Sequence, residues 1–309
     1  MARRYLDPRN DIVFKRIFGE HPEILRSFLN AVLPLPPDGQ ILSLEYLSGE
    51  QVPQLPLLKN TIVDVRCRDQ RGRQFIVEMQ MNWTKAFLRR VLFNASKAYV
   101  RQLDRGERFE LLQPVIGLSV LDAVFRPESE GYYHHYQIAE EGCPESVIEG
   151  LQLVFIELPK FKPAQMDEGP LKTAWLRFLQ ETGDADSPAE AKQLQEQVGA
   201  VAPEIQEALN LAEEAAFTPG ELEAYDRYWD AVSRERTLLE SATSDAWLRG
   251  LAAGQAEGLA KGHAEGLAMG HAEGHAEGHA EGREAERAAL LAKWMAAGMS
   301  EEQARGLLD

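Results

Sequence analysis

Asp64, Glu78 and Gln80 are the residues of this chain best suited to do chemistry together. Two carboxylates beside a neutral amide form an all-oxygen donor set. Such a set suits a hard divalent cation that keeps part of its water shell, Mg²⁺ first and Mn²⁺ after it. A cation held there would open the way to metal-assisted hydrolysis, because it stabilises developing negative charge and acidifies water. The two acids can meet only if the chain between them folds back on itself.

Residues 61–80 read TIVDVRCRDQRGRQFIVEMQ, two runs rich in Val, Ile and Phe around a polar, glycine-bearing turn. That is the signature of a β-hairpin. With residues 70–72 as a three-residue loop, Gly72 takes the left-handed position which that loop favours. Asp69 then pairs with Arg73, and Asp64 falls opposite Glu78. One face carries Val63, Val65, Cys67, Phe75, Val77 and Met79, and the other Ile62, Asp64, Arg66, Arg68, Gln74, Ile76, Glu78 and Gln80. A slip of one residue would mix the faces, so the apolar pattern selects the register that brings the carboxylates together. Like charges opposite one another in a sheet are unfavourable and need compensation. A divalent cation is one account. Neutralisation by Arg66 and Arg68 at a solvated edge is the other.

Asp64 followed by Glu78-Met79-Gln80 resembles the PD-(D/E)XK nuclease motif, in the Glu-x-Gln form of the Rpn family of recombination-promoting, transposase-like nucleases. Asp11-Ile12-Val13-Phe14-Lys15, Phe18-Gly19, Phe28-Leu29-Asn30, Arg90, Tyr99, Gln102-Leu103 and Pro114-Val115-Ile116 resemble further stretches of that family. The likeness covers the first half of the chain, and the helical second half in style. It implies a restriction-endonuclease-like α/β fold, with Asp64, Glu78 and the Met79 carbonyl as metal ligands and Gln80 as the third catalytic residue. It also suggests Asp11 as an additional acid turned toward the site, against the plainer reading of a surface ion pair with Lys15. Val63 stands where many members have Pro and Gln80 where most have Lys, and the neutral amide implies a slow enzyme.

The remaining elements must hold this hairpin. Residues 10–33 form two helices parted by Gly19 and Pro22, the first capped by Asn10. Residues 41–47 read as a strand, and residues 49–60 as a loop with prolines. Residues 83–106 read as a long helix whose charges are mainly positive, with Arg90, Lys97, Arg101 and Arg108 near one face. Because it follows Gln80 closely, Arg90, Lys97 and Arg101 are the expected contacts to a DNA backbone. Residues 114–121 suit a buried central strand. Residues 132–138 and 151–158 read as two more, and the adjacent His134 and His135 point to opposite faces, poor spacing for a shared metal. Residues 170–182, 188–199, 203–217 and 218–249 read as helices opening at or near prolines.

From Gly250 to Gly282 every fourth residue is glycine, with Ala, Glu and His271, His275 and His279 between. Glycine costs about 1 kcal/mol per helical residue relative to Ala. Yet Ala and Glu favour helix, and a small residue every fourth position lets helix backbones approach closely. A helical self-association arm is the expectation, with a partly disordered low-complexity segment as the alternative. Residues 283–295 and 300–308 read as two closing helices.

Hydrophobic content of 44% and charged content of 27% are those of a soluble globular chain. No apolar run is long enough to span a bilayer, the start lacks the apolar core of a signal peptide, and Cys67 and Cys143 do not make a disulfide framework. A cytoplasmic protein is expected. The net charge of −16 conceals an asymmetry: residues 1–125 hold 18 Lys and Arg against 14 Asp and Glu, leaving the excess of acid to the remainder. A local basic patch is what phosphate binding requires.

The expected architecture is an α/β nuclease core with a mixed sheet of about five strands over residues 1–165. A helical region follows over 166–249, then a repeat tail over 250–309 that makes the chain a homo-oligomer. The expected activity is Mg²⁺-dependent DNA endonuclease, linked to recombination or mobile elements. A DNA-binding oligomeric scaffold that kept the fold but cleaves weakly is the alternative, and RNA is not distinguished from DNA.

Overall fold

The computed structural model describes residues 5–48, 50–51, 61–62, 64–82, 84–104, 106–163, 168–185, 187–300, 302 and 305–306. The expected loop at 49–60 and closing helix at 300–308 lie largely outside those residues, as does Val63. The main sheet has six strands: β1 (Leu44–Tyr46), β4 (Val65–Asp69), β5 (Gln74–Gln80), β6 (Val115–Leu121), β8 (Cys143–Glu157) and β7 (Tyr133–Glu140), in that spatial order. A separate two-stranded ribbon pairs β2 (Glu50–Gln51) with β3 (Thr61–Ile62). Strands β5, β6 and β8 run parallel, and β1, β4 and β7 are antiparallel to their neighbours. This is the mixed α/β sheet expected, one strand wider. Strand β8 starts at Cys143, earlier than the expected 151, because its first half forms an outer hairpin with β7 that bulges after Gln137.

The hairpin has the register chosen by its apolar pattern. Val65 pairs with Val77, Arg66 with Ile76, Cys67 with Phe75 and Arg68 with Gln74. Gly72 has φ +82°, its N–H donates to the Asp69 carbonyl at 3.0 Å, and Asp69 N–H donates to the Arg73 carbonyl at 3.0 Å. The Asp69 carboxylate locks the turn further, accepting from the Arg71 and Arg73 N–H groups at 2.9 Å each.

The two faces of the sheet pack differently. Val65, Cys67, Phe75, Val77 and Met79 join the main core with α1 (Asp11–Phe18), α2 (Pro22–Val32), α4 (Pro170–Glu181) and α6 (Pro203–Ala212). There Trp175 packs against Phe18, Phe28 and Phe178 with ring centroids 5.6–5.8 Å apart. Such aromatic pairs add about 0.5–1.5 kcal/mol each beyond their burial. On the opposite face α3 (Lys85–Val100) packs Ala95 and Ala98 against Ile76 and Val115, and Phe87 and Val91 against Leu121 and Phe155. That helix is the crossover between parallel strands β5 and β6.

Helix α5 (Pro188–Gln197) opens with a full capping box between Ser187 and Glu190. Helix α7 runs unbroken from Pro219 to Ala296, through the expected boundary at Gly250. The chain divides into two compact units, Met1–Arg236 and Thr237–Asp309. In the second, side chains are exposed almost throughout, and a Cβ on any glycine from Gly250 to Gly282 would meet open space. Among the described residues no helix is long and apolar enough to cross a membrane.

Candidate active site

The acidic centre forms where β5 leaves the hairpin and runs beside β6. Glu78 lies opposite Ser119 and Gln80 opposite Leu121, and the Asp122 N–H extends the ladder by donating to the Gln80 carbonyl at 2.9 Å. The β4 ladder ends at Val65 opposite Val77, so Asp64 lies one step beyond it, in a bend beside Glu78. From there its Oδ2 accepts the Met79 N–H at 2.8 Å. A strand residue turns its N–H and C=O to the same edge, which directs the Met79 carbonyl toward Asp64 as well.

Glu78 points into the layer under α3 and is only 7% exposed. Its Oε1 accepts from Asn94 Nδ2 at 2.9 Å, while Oε2 is buried with no hydrogen-bond partner among the described residues. An unpaired buried carboxylate oxygen is costly, and it is the arrangement an ion would relieve. Burial pushes the Asp64 carboxyl up to about 6; the Met79 N–H opposes the shift, and Asp11 and Glu78 add to it. Burial also raises Glu78, against Asn94 and Arg90. In both acids the charged form is thus disfavoured, and a positive charge between them would favour it.

Arg66 and Arg68 do not supply that charge. Arg66 donates to Gln74 Oε1 at 2.8 Å and Arg68 to Glu45 at 2.7 Å, which removes the account in which they neutralise the pair. Arg90 does reach the motif: its Nη2 donates to Gln80 Oε1 at 2.6 Å, and its guanidinium carbon lies 5.0 Å from the Phe87 ring centroid. Asp11 pairs with Lys15 at 2.9 Å and acts on Asp64 only through its charge. Among the described residues no three His, Cys, Asp or Glu side chains converge as a metal cluster. The donors on offer are thus Asp64, Glu78 and the Met79 carbonyl.

The basic face of α3 is not uniform. Arg90 is exposed, whereas Lys97 is 9% exposed, with Nζ 5.8 Å from the Phe93 ring centroid. Burial and then Arg101 disfavour its charge. Arg101 is half-buried at the helix C-cap, within range of Arg66.

Several residues at the site were not expected from the sequence. Asn94, 1% exposed, fixes Glu78; its signal was an amide on the inward stripe of α3. Asp122 pairs with Arg9 at 3.1 Å beside Gln80. The first turns of α7 return to the acids. Tyr225 Oη accepts the Asp7 N–H at 3.1 Å, and Glu235 accepts from Asn82 Nδ2 at 2.9 Å. Tyr228 is held protonated by burial and then by Asp11, Asp64, Asp7 and Glu235. Nothing local in residues 219–236 signals that return.

A family model described as PD-(D/E)XK nuclease family transposase matches residues 8–242, from the segment before α1 to beyond the turns of α7 that carry Tyr228 and Glu235. Neither the curated proteins nor the solved structures give a match.

Proposed function

The chain belongs to the PD-(D/E)XK nuclease family transposases, and from that premise we propose that it is a Mg²⁺-dependent endonuclease hydrolysing DNA phosphodiester bonds. The observation that carries this reading is the buried, unpartnered Oε2 of Glu78 beside Asp64. PD-(D/E)XK nucleases use divalent metal ions, and this donor set fits one: two carboxylates with a main-chain carbonyl, all hard oxygens. Asp64, Glu78 and the Met79 carbonyl would hold it, with Mn²⁺ as a substitute for Mg²⁺. When bound, a divalent cation stabilises the charge building on the phosphate and makes water easier to deprotonate.

The chain's own groups do the rest. The Met79 N–H fixes the Asp64 carboxylate, and Asn94 fixes Glu78, so neither acid has to reorient. Gln80 positions water through its amide. Arg90, bonded to that amide, brings the positive charge that a Gln in the usual Lys position lacks.

A second reading, a DNA-binding oligomeric scaffold that cleaves weakly, is favoured by the neutral Gln80. Plasmid nicking in Mg²⁺ separates the two, since a pure binder has no use for the cation. The nuclease reading carries with it a role in recombination or mobile-element biology, in a cytoplasmic protein assembled through residues 250–309.

A further inference from the structure

Beside Gln80 a cleft of about 520 Å³ opens between the end of β5, the first turns of α3 and the start of α7. Its size lies in the range of about 300–1,000 Å³ typical of small-molecule sites. Arg89 and Arg90 stand on its wall, and Arg89 makes no ion pair among the described residues. Phe93 contributes a ring that is 46% exposed, with Lys97 Nζ near it. Also on the wall, the buried Asn82 donates to Oε2 of the exposed Glu235, which leaves Asn82 Oδ1 and Glu235 Oε1 without hydrogen bonds among the described residues.

We propose that this cleft receives one unpaired nucleotide of the strand held at the carboxylate pair, its base stacked on Phe93 and its phosphate on Arg89 and Arg90. The inference rests on the nuclease reading and goes beyond it in naming the form of the substrate. Cationic side chains beside an exposed aromatic ring are the equipment of single-strand recognition. In a duplex, each base has its faces covered by neighbours and its pairing edge by its partner. Only a base withdrawn from the stack can offer a face to Phe93 and an edge to Asn82 and Glu235. The cleft adjoins Gln80, so its occupant is a neighbour of the reacting phosphate.

The test is binding without divalent metal, read by fluorescence anisotropy on the full chain. The probes are a single-stranded oligonucleotide of about 12 nucleotides, within the span of one single-strand groove, and a strand of equal length with every base replaced by hydrogen. Phe93→Ala should weaken binding to the base-bearing strand about 5- to 150-fold, the loss of one stacked base. It should leave the base-free strand unaffected, and Phe93→Trp should restore the base-bearing strand. Equal losses on both strands, or no loss where the parent binds well, would overturn the proposal while leaving cleavage at Asp64 and Glu78 intact. Conversely, a base-dependent loss in a protein that does not cleave would uphold the cleft and remove the nuclease.

Discussion

Replacing Asp64 by Asn isolates what the acidic centre does to the fold. The amide keeps an oxygen for the Met79 N–H, so the 2.8 Å hydrogen bond survives. What is lost is the charge. Burial moves the Asp64 carboxyl from 3.8 to about 6, so ionising it in place costs about 3 kcal/mol. Asp64 is half-buried, and solvent screening reduces this to about 1–2 kcal/mol. The sign follows from proton binding. Between about pH 4 and 6 the folded parent binds more protons than the unfolded chain, so its stability falls as pH rises through that window and stays low above it. The variant has no such group and lacks this part of the slope. At pH 8 with chelator it should be more stable by about 1–2 kcal/mol, a rise of roughly 2–8 °C in melting temperature for a unit of this size. At pH 4 the two should nearly coincide. Adding Mg²⁺ at pH 8 should stabilise the parent alone, because only the parent retains both carboxylates. Unfolding followed by tryptophan fluorescence reports this, since Trp175 is fully buried in the same unit. An Asn variant less stable than the parent at pH 8, or equal pH slopes in both, would refute the reasoning.

Two further outcomes follow from other parts of the chain. Arg90→Ala removes the guanidinium from Gln80 and a charge that favours ionised Glu78; DNA affinity should fall at every sequence tried, and the salt dependence should flatten by about one unit of slope per lost phosphate contact. An unchanged slope would take Arg90 off the DNA. Deleting residues 250–309 should lower the number of chains per particle found by light scattering while Trp175 emission stays native. The same number of chains with and without the tail would remove it as an association arm.

The hairpin was legible because its pattern permits one register, and because Gly72 stands where the loop needs a positive φ. The motif residues and their strand could therefore be placed from sequence. The order of the six strands, and which face each helix covers, depends on contacts between distant segments. Asn94 against Glu78, and Arg90 against Gln80, require knowing how α3 is rotated on the sheet. Lys97 shows the limit of the helical wheel: it lies near the angle of Arg90, yet the same face is open at Arg90 and covered at Lys97. Tyr228 and Glu235 come from a helix that returns to the site after most of the fold is complete. No local periodicity encodes that return. The helical character of the glycine repeat was legible from its Ala and Glu, but not that it joins the helices expected on either side into one unbroken α7.

The most direct test is supercoiled plasmid nicking in Mg²⁺ by the parent and by Glu78→Gln. The substitution keeps the shape of the side chain and its acceptor for Asn94, and removes the charge of the buried, unpartnered oxygen. Metal-free DNA affinity should be unchanged or higher, and nicking should fall by orders of magnitude. A Glu78→Gln protein that nicks as fast as the parent would show that the hairpin is not the active site.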